Sequence, residues 1–236
     1  MSKIKKIARF VDIEACKSIF SERSTFVLRS PIYYQRMYEI SGGSGGDKKE
    51  GRPDTAKGSS EFERWVVSCW TILEGNEPTD KEWGIFEEDK RNVVAIISTP
   101  SKVCKFLREN LEGLPFHQVE HREVTYEKEK INVDHTNFTS VVPFAKGKQF
   151  TKENEYRFVL TYGWGPQLID SFIFCGGIDY MERCYVNPKM CKEVLKKLLS
   201  SVDNAGAGYG DFTGKTLGDV IANERIFFRN IFGEDV

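Results

Sequence analysis

No stretch of these 236 residues approaches the length of an apolar membrane span, and the basic run Met1-Ser2-Lys3-Ile4-Lys5-Lys6 has no apolar segment after it. Both absences point to a cytoplasmic protein with no membrane partner. An excess of one charge is also missing. The 34 Lys and Arg against 35 Asp and Glu leave a formal charge of −1, whereas a domain that grips nucleic acid over a broad surface is normally basic. A local basic patch stays open. The six cysteines (16, 69, 104, 175, 184 and 191) form no Cys-x-x-Cys pair and show no repeated spacing, so they read as reduced core residues. Histidine is scarce. Of the three present, His117 and His121 have the i, i+4 spacing that holds zinc on a helix, but Pro115 before them and a strand pattern after them argue against a helix, so no metal is expected. There is no Cys–His signature of nucleophilic catalysis. Gly206-Ala207-Gly208-Tyr209-Gly210 is not a phosphate loop, because no Lys-Ser/Thr follows at the required place and no buried strand leads into it.

What is present is apolar surface enough for a core, with 40% hydrophobic residues. The pattern predicts one α+β domain over residues 1–236, a central mixed β-sheet flanked by helices. Ala8 to Val11 reads as a short strand, with Asp12 as the N-cap of a helix carrying Ile13, Cys16 and Phe20 on one face. Phe26 to Arg29 is a second strand, followed by an aromatic helix from Ile32 to Ile40. Residues 41–60 open with Ser-Gly-Gly-Ser-Gly-Gly and cannot bury enough apolar surface to order themselves, so a mobile loop is expected there, either a lid or a disordered insert. Trp65 to Trp70 reads as a buried strand, and Thr79 as the start of a short helix with a capping-box pattern. Val93-Val94-Ala95-Ile96-Ile97 is continuously apolar, as a strand covered on both faces should be, and a helix follows from Ser101 to Leu111. Further strands are expected at 122–126, 155–162 and 171–175, the last ended by Gly176-Gly177. Asn187-Pro188 should begin an amphipathic helix with a stripe of Val194, Leu195, Leu198, Leu199 and Val202.

The most chemically suggestive stretch is Lys152-Glu153-Asn154-Glu155-Tyr156-Arg157-Phe158. On a strand, residues two apart share a face, so Glu153 and Glu155 are expected to point together while Tyr156 and Phe158 enter a core. Two like charges on one face push one carboxyl upward unless a cation intervenes, and Lys152 and Arg157 are the neighbours able to do so. The plain alternative is an edge strand whose charges are solvated.

The succession Arg9-Phe10, Pro31 to Glu39, Cys69-Trp70 with Glu82-Trp83, Ile97-Ser98-Thr99, Thr125-Tyr126 and Lys152 with Glu153-x-Glu155-x-Arg157 resembles the prokaryotic family called domain of unknown function 2971, over roughly residues 7–221. The chain departs from the family at Gln35-Arg36-Met37, where Asn-Asp-Pro is usual. The order Arg9, Ser98, Glu153-x-Glu155 is also similar to the Arg, Ser, Glu signature of ADP-ribosyltransferases. That resemblance implies NAD as substrate and transfer or hydrolysis of its glycosyl bond. Glu155 would stabilise the oxocarbenium-like charge and Glu153 would position the acceptor. Arg9 or Arg29 would hold phosphate, Ser98 would orient the ribose, and Trp70 or Tyr34 would stack on nicotinamide. Proteins resembling this one have, by association, a toxin or phage-defence role, and the acceptor could be a macromolecule or water. The competing expectation is a binding module with no enzymatic activity, using Tyr33, Tyr34, Tyr38 and the 41–60 loop to recognise nucleic acid or protein.

Overall fold

Val93–Ser98 (β4) has all six residues buried and is paired on both edges, with β1 (Ile7–Asp12) on one side and β10 (Arg183–Val186) on the other, both antiparallel. A strand so enclosed has no solvated face, which is why it reads as an unbroken apolar run. The structure, a computed structural model, describes residues 5–20, 24–40, 65–85, 92–112, 116–127, 142–162, 171–175, 177–190, 193–194 and 196–198. The expected loop at 41–60 and the glycine-rich turn at 206–210 lie outside these residues. The fold is mixed α+β, with a central sheet flanked by helices.

Contacts divide the chain into two compact units, each assembled from segments distant in sequence. One comprises Met1–Phe26, Leu73–Val103 and Cys175–Val236; the other comprises Val27–Ile72 and Cys104–Phe174. In the first, β1 and β4 pack their side chains with Leu73, Trp83 and Tyr185, and Phe10 meets the edge of Trp83 at 5.2 Å. Helix α1 (Ile13–Ile19) follows β1 directly, and Asp12 caps it as expected by accepting a 2.7 Å bond from the Ala15 N–H. Asp12→Ala should therefore cost about 1 kcal/mol of stability, read as a shift in denaturation midpoint. The short helix α3 (Asp80–Gly84) starts at Thr79, whose N–H donates to Glu82 Oε2 at 2.8 Å, while the Glu74 N–H donates to Oε1 at 3.1 Å. These donors explain a glutamate that is 3% exposed.

The second unit is organised around β8 (Glu155–Tyr162), which lies between β3 (Trp65–Ile72) and β5 (Phe116–Glu123), antiparallel to both. β3 also pairs with β2 (Thr25–Arg29), from which the aromatic helix α2 (Pro31–Ile40) departs. Phe158 is fully buried, which contributes on the order of 2–3 kcal/mol. Helix α4 (Pro100–Leu111) follows β4, and β9 (Ser171–Cys175) precedes Gly177, whose φ of +80° a side chain would disfavour.

Two local expectations are corrected. The strand expected at 122–126 is divided: β5 ends at Glu123, and β6 (Thr125–Glu127) leaves to pair in parallel with β7 (Ala145–Gly147). Between them the Val124 N–H bonds to Glu155 O at 2.9 Å, so the chain turns away only after one further contact with β8. Asn187 starts no helix. Its Oδ1 accepts from the Lys189 N–H at 2.8 Å and its carbonyl from the Met190 N–H at 2.9 Å, an asparagine turn that competes with helix initiation. Helical residues are described at 193–194 and 196–198, with Leu198 buried; Leu195, Leu199 and Val202 of the expected stripe fall outside the description of side chains.

Candidate functional site

Two stretches of chain, β6 and the continuous run from β7 into β8, meet at the start of β8. β6 and β7 place Tyr126 opposite Lys146, the helical turn Lys148–Glu153 presents Glu153, and β8 supplies Glu155 and Arg157 on one face. The Lys146 ammonium lies 2.6 Å from Glu153 Oε2 and 2.9 Å from Glu155 Oε1. Arg157 Nε donates to the other oxygen of Glu155 at 2.6 Å, and its Nη1 donates to Pro143 O at 2.8 Å. The Glu155 N–H in turn donates to the Tyr126 hydroxyl at 2.7 Å, and the face of Phe150 lies 4.6 Å from the Lys146 nitrogen.

The paired carboxylates are thus brought together, but by a different route from the one expected. Glu153 is not on the strand. It ends a 3-10 helix, and Asn154 turns the chain through left-handed backbone (φ 45°, ψ 53°) before β8 begins at Glu155. Nor is Lys152 the mediating cation. It is exposed, whereas Lys146, 9% exposed, is the ammonium shared by both carboxylates. The solvated edge strand is also set aside: β8 has a neighbour on each side, and Glu155 and Arg157 are 7% and 0% exposed. A face that alternation marks as polar is buried, with its charges satisfied internally.

The two carboxyls have opposite acidities. Burial pushes Glu153 up, and the neighbouring Glu155 adds to this more than Lys146 relieves it, leaving Glu153 at about 7. Burial would raise Glu155 too, but contact with Arg157 and then Lys146 overcomes it and holds Glu155 well below the usual carboxylate range. Tyr126 is pushed up to about 12, chiefly by burial, so its phenol keeps its proton throughout the neutral range. The result is a permanently charged carboxylate beside one that changes charge near neutrality, an arrangement suited to accepting and returning a proton.

The remaining expected residues are placed as follows. Arg29 of β2 bonds to Ser171 Oγ and stacks its guanidinium 4.2 Å from the Tyr33 ring centroid. Tyr34 packs against the Trp65–Val67–Phe144–Val159 cluster, its hydroxyl 3.8 Å from Cys69 Sγ. Trp70 is 1% exposed and its indole N–H donates to Ser68 Oγ at 2.9 Å. Arg9 and Ser98 belong to the first unit. Arg9 lies over Phe26 at 5.2 Å, and Ser98, fully buried, donates to Tyr180 O. On the other face of β8, His121 Nδ1 is 2.7 Å from Tyr156 OH, and the imidazole stacks on Phe158. Burial, reinforced by Arg108, pushes the His121 pKa below its ordinary value. Both His117 and His121 lie on β5. Among the described residues no group of three or more His, Cys, Asp or Glu is arranged to hold a metal ion.

Lys146 was missed by sequence reasoning because it belongs to no motif and lies on a three-residue strand, β7, seven and nine residues before the glutamates it bonds. Comparison of the chain with family models, with curated proteins and with solved structures finds no match.

Proposed function

We propose that the chain is an enzyme that cleaves the glycosyl bond of a nicotinamide nucleotide such as NAD, with Glu153 as the general base. The observation that carries this reading is that one ammonium, Lys146, joins two carboxyls, 2.6 Å from Glu153 and 2.9 Å from Glu155, with Glu153 pushed up by burial and by its ionised neighbour. As the C1′–N bond breaks, its electron pair leaves with the pyridinium nitrogen, which becomes neutral. The oxocarbenium-like carbon left behind is stabilised by negative charge, and water or another acceptor hydroxyl adds to it while its proton passes to ionised Glu153. Glu155 has both oxygens engaged, by Lys146 and by Arg157. Its part is to fix Lys146, and through Lys146 the carboxyl of Glu153. The choice of NAD comes from the sequence resemblance, of which the serine is not carried over, because the Ser98 hydroxyl is buried and donates to Tyr180 O.

The test is nicotinamide release from NAD. Turnover should rise with pH to a plateau above about 7, and Glu153→Gln should lower it by about 10²–10⁴-fold. Glu155→Gln is the poorer probe, because it leaves two buried cations facing a neutral amide and perturbs the fold itself. Absence of both NAD binding and release in the wild-type protein would sink the enzymatic reading. The binding-module alternative would then rest on the Arg29–Tyr33 stack, the kind of cation–aromatic surface that receives nucleobases.

A further inference from the structure

Glu153 and Glu155 flank a residue in unusual backbone. Asn154 is one of two non-glycine residues with positive φ among those described, and it is tied down on three sides. Its N–H donates to Thr151 O at 3.2 Å, closing the helical turn that carries Glu153. Its carbonyl accepts the Ile72 N–H at 2.8 Å, and its side-chain Nδ2 donates to Ile72 O at 3.0 Å. Both bonds to Ile72 anchor the turn to the end of β3. An extended residue at this position would continue the strand back through 153 and project Glu153 along it. The left-handed turn instead lets the chain enter β8 from a helical turn, with Glu153 meeting the same ammonium as Glu155.

We infer that Asn154 is a positioning residue for the proposed acid–base site, its left-handed backbone and its bonds to Ile72 setting the Glu153 carboxyl against Lys146 and Glu155. This deepens the reading of Glu153 as the general base and rests on it for its catalytic meaning, though the placement itself is a property of the folded chain. Asparagine is suited to the position because it adopts left-handed backbone more readily than other residues with a side chain, and because its amide reaches a backbone carbonyl. Glycine keeps the turn without the amide bond. A β-branched residue opposes the turn outright.

The experiment follows the carboxyl of Glu153 by carbon NMR in the full-length protein, with Glu153→Gln used to assign the signal and circular dichroism used to confirm folding. It needs no substrate. In the wild type the signal should titrate near pH 7, and Asn154→Gly should keep that midpoint within about half a pH unit. Asn154→Val should lower it by about one pH unit or more toward the ordinary glutamate value. Should the valine variant not fold, Asn154→Ala supplies the same comparison with a smaller downward shift. A folded valine variant, or failing that a folded alanine variant, with the wild-type midpoint overturns the role of Asn154, whatever NAD turnover shows. A wild-type Glu153 titrating at the ordinary value overturns it as well, since no set carboxyl would then exist. A midpoint that moves as expected in a protein inert toward NAD upholds Asn154 and removes the glycosyl-cleavage reading alone.

Discussion

Arg157→Ala is expected to lower the unfolding free energy by about 3–5 kcal/mol, measured by urea denaturation at neutral pH. The guanidinium is fully buried and donates to Glu155 and to Pro143 O. Alanine leaves Glu155 to Lys146 and takes the guanidinium donor from Pro143 O, so the cost combines an under-compensated buried charge with a lost hydrogen bond. Lysine does not repair it, because one ammonium cannot reproduce the planar fork that reaches both acceptors. Removing the two charges together should behave differently. Glu155→Gln with Arg157→Met takes both desolvation penalties away, and the double variant should regain a substantial part of what Arg157→Ala loses. If the single variant unfolds within about 1 kcal/mol of wild type, the buried ion cluster does not organise this end of β8.

Glu153→Gln should change the pH dependence of stability in a direction opposite to its effect on turnover. The carboxyl titrates at about 7 in the folded protein and near its ordinary value of 4.5 in the unfolded chain. A group raised in this way favours the native state fully below pH 4.5, and that contribution is lost as pH rises through 7. Glutamine has no charge to acquire, so above pH 7 the variant should exceed the wild type by an amount on the order of 2 kcal/mol, a gap that closes on acidification. Glu155 contributes with the opposite sign, its stabilisation being present above pH 4.5 and lost as pH falls toward its depressed value. Urea midpoints measured from pH 4 to pH 9 for both proteins decide the matter. Parallel curves would mean that Glu153 is an ordinary carboxylate. A carboxyl that weakens the fold when ionised, yet is the form required to accept a proton, is a stability cost of the kind tolerated where function needs it.

The contrast between what the sequence discloses and what it hides follows the range of the interactions. β4 is evident from its apolar run because both of its faces are buried, and the caps at Asp12 and Thr79 are evident because their partners lie three residues away. Tyr156 and Phe158 are recognisable as core residues from alternation alone. The acid–base cluster is only half visible. Its two glutamates stand out in sequence, but the ammonium that joins them comes from a three-residue strand with no periodicity of its own. The i, i+2 rule that pairs the glutamates presumes a strand where the chain is helical. Ser98 shows the complementary limit. Its place in the order of residues resembles a catalytic signature, but order carries no information about which hydroxyls are already spent, and that of Ser98 donates to Tyr180 O.

The shared ammonium of Lys146 has an electrostatic consequence at long range. While Glu153 holds its proton, two cations face one carboxylate, and the cluster is a local source of positive potential on a chain whose formal charge is only −1. An approaching phosphate would be attracted over about a Debye length, ~8 Å at physiological salt, and loss of the Glu153 proton would weaken that attraction. If the proposed reaction holds, encounter with an anionic nucleotide would be favoured on the acid side of neutrality and proton abstraction on the alkaline side, with one carboxyl governing both.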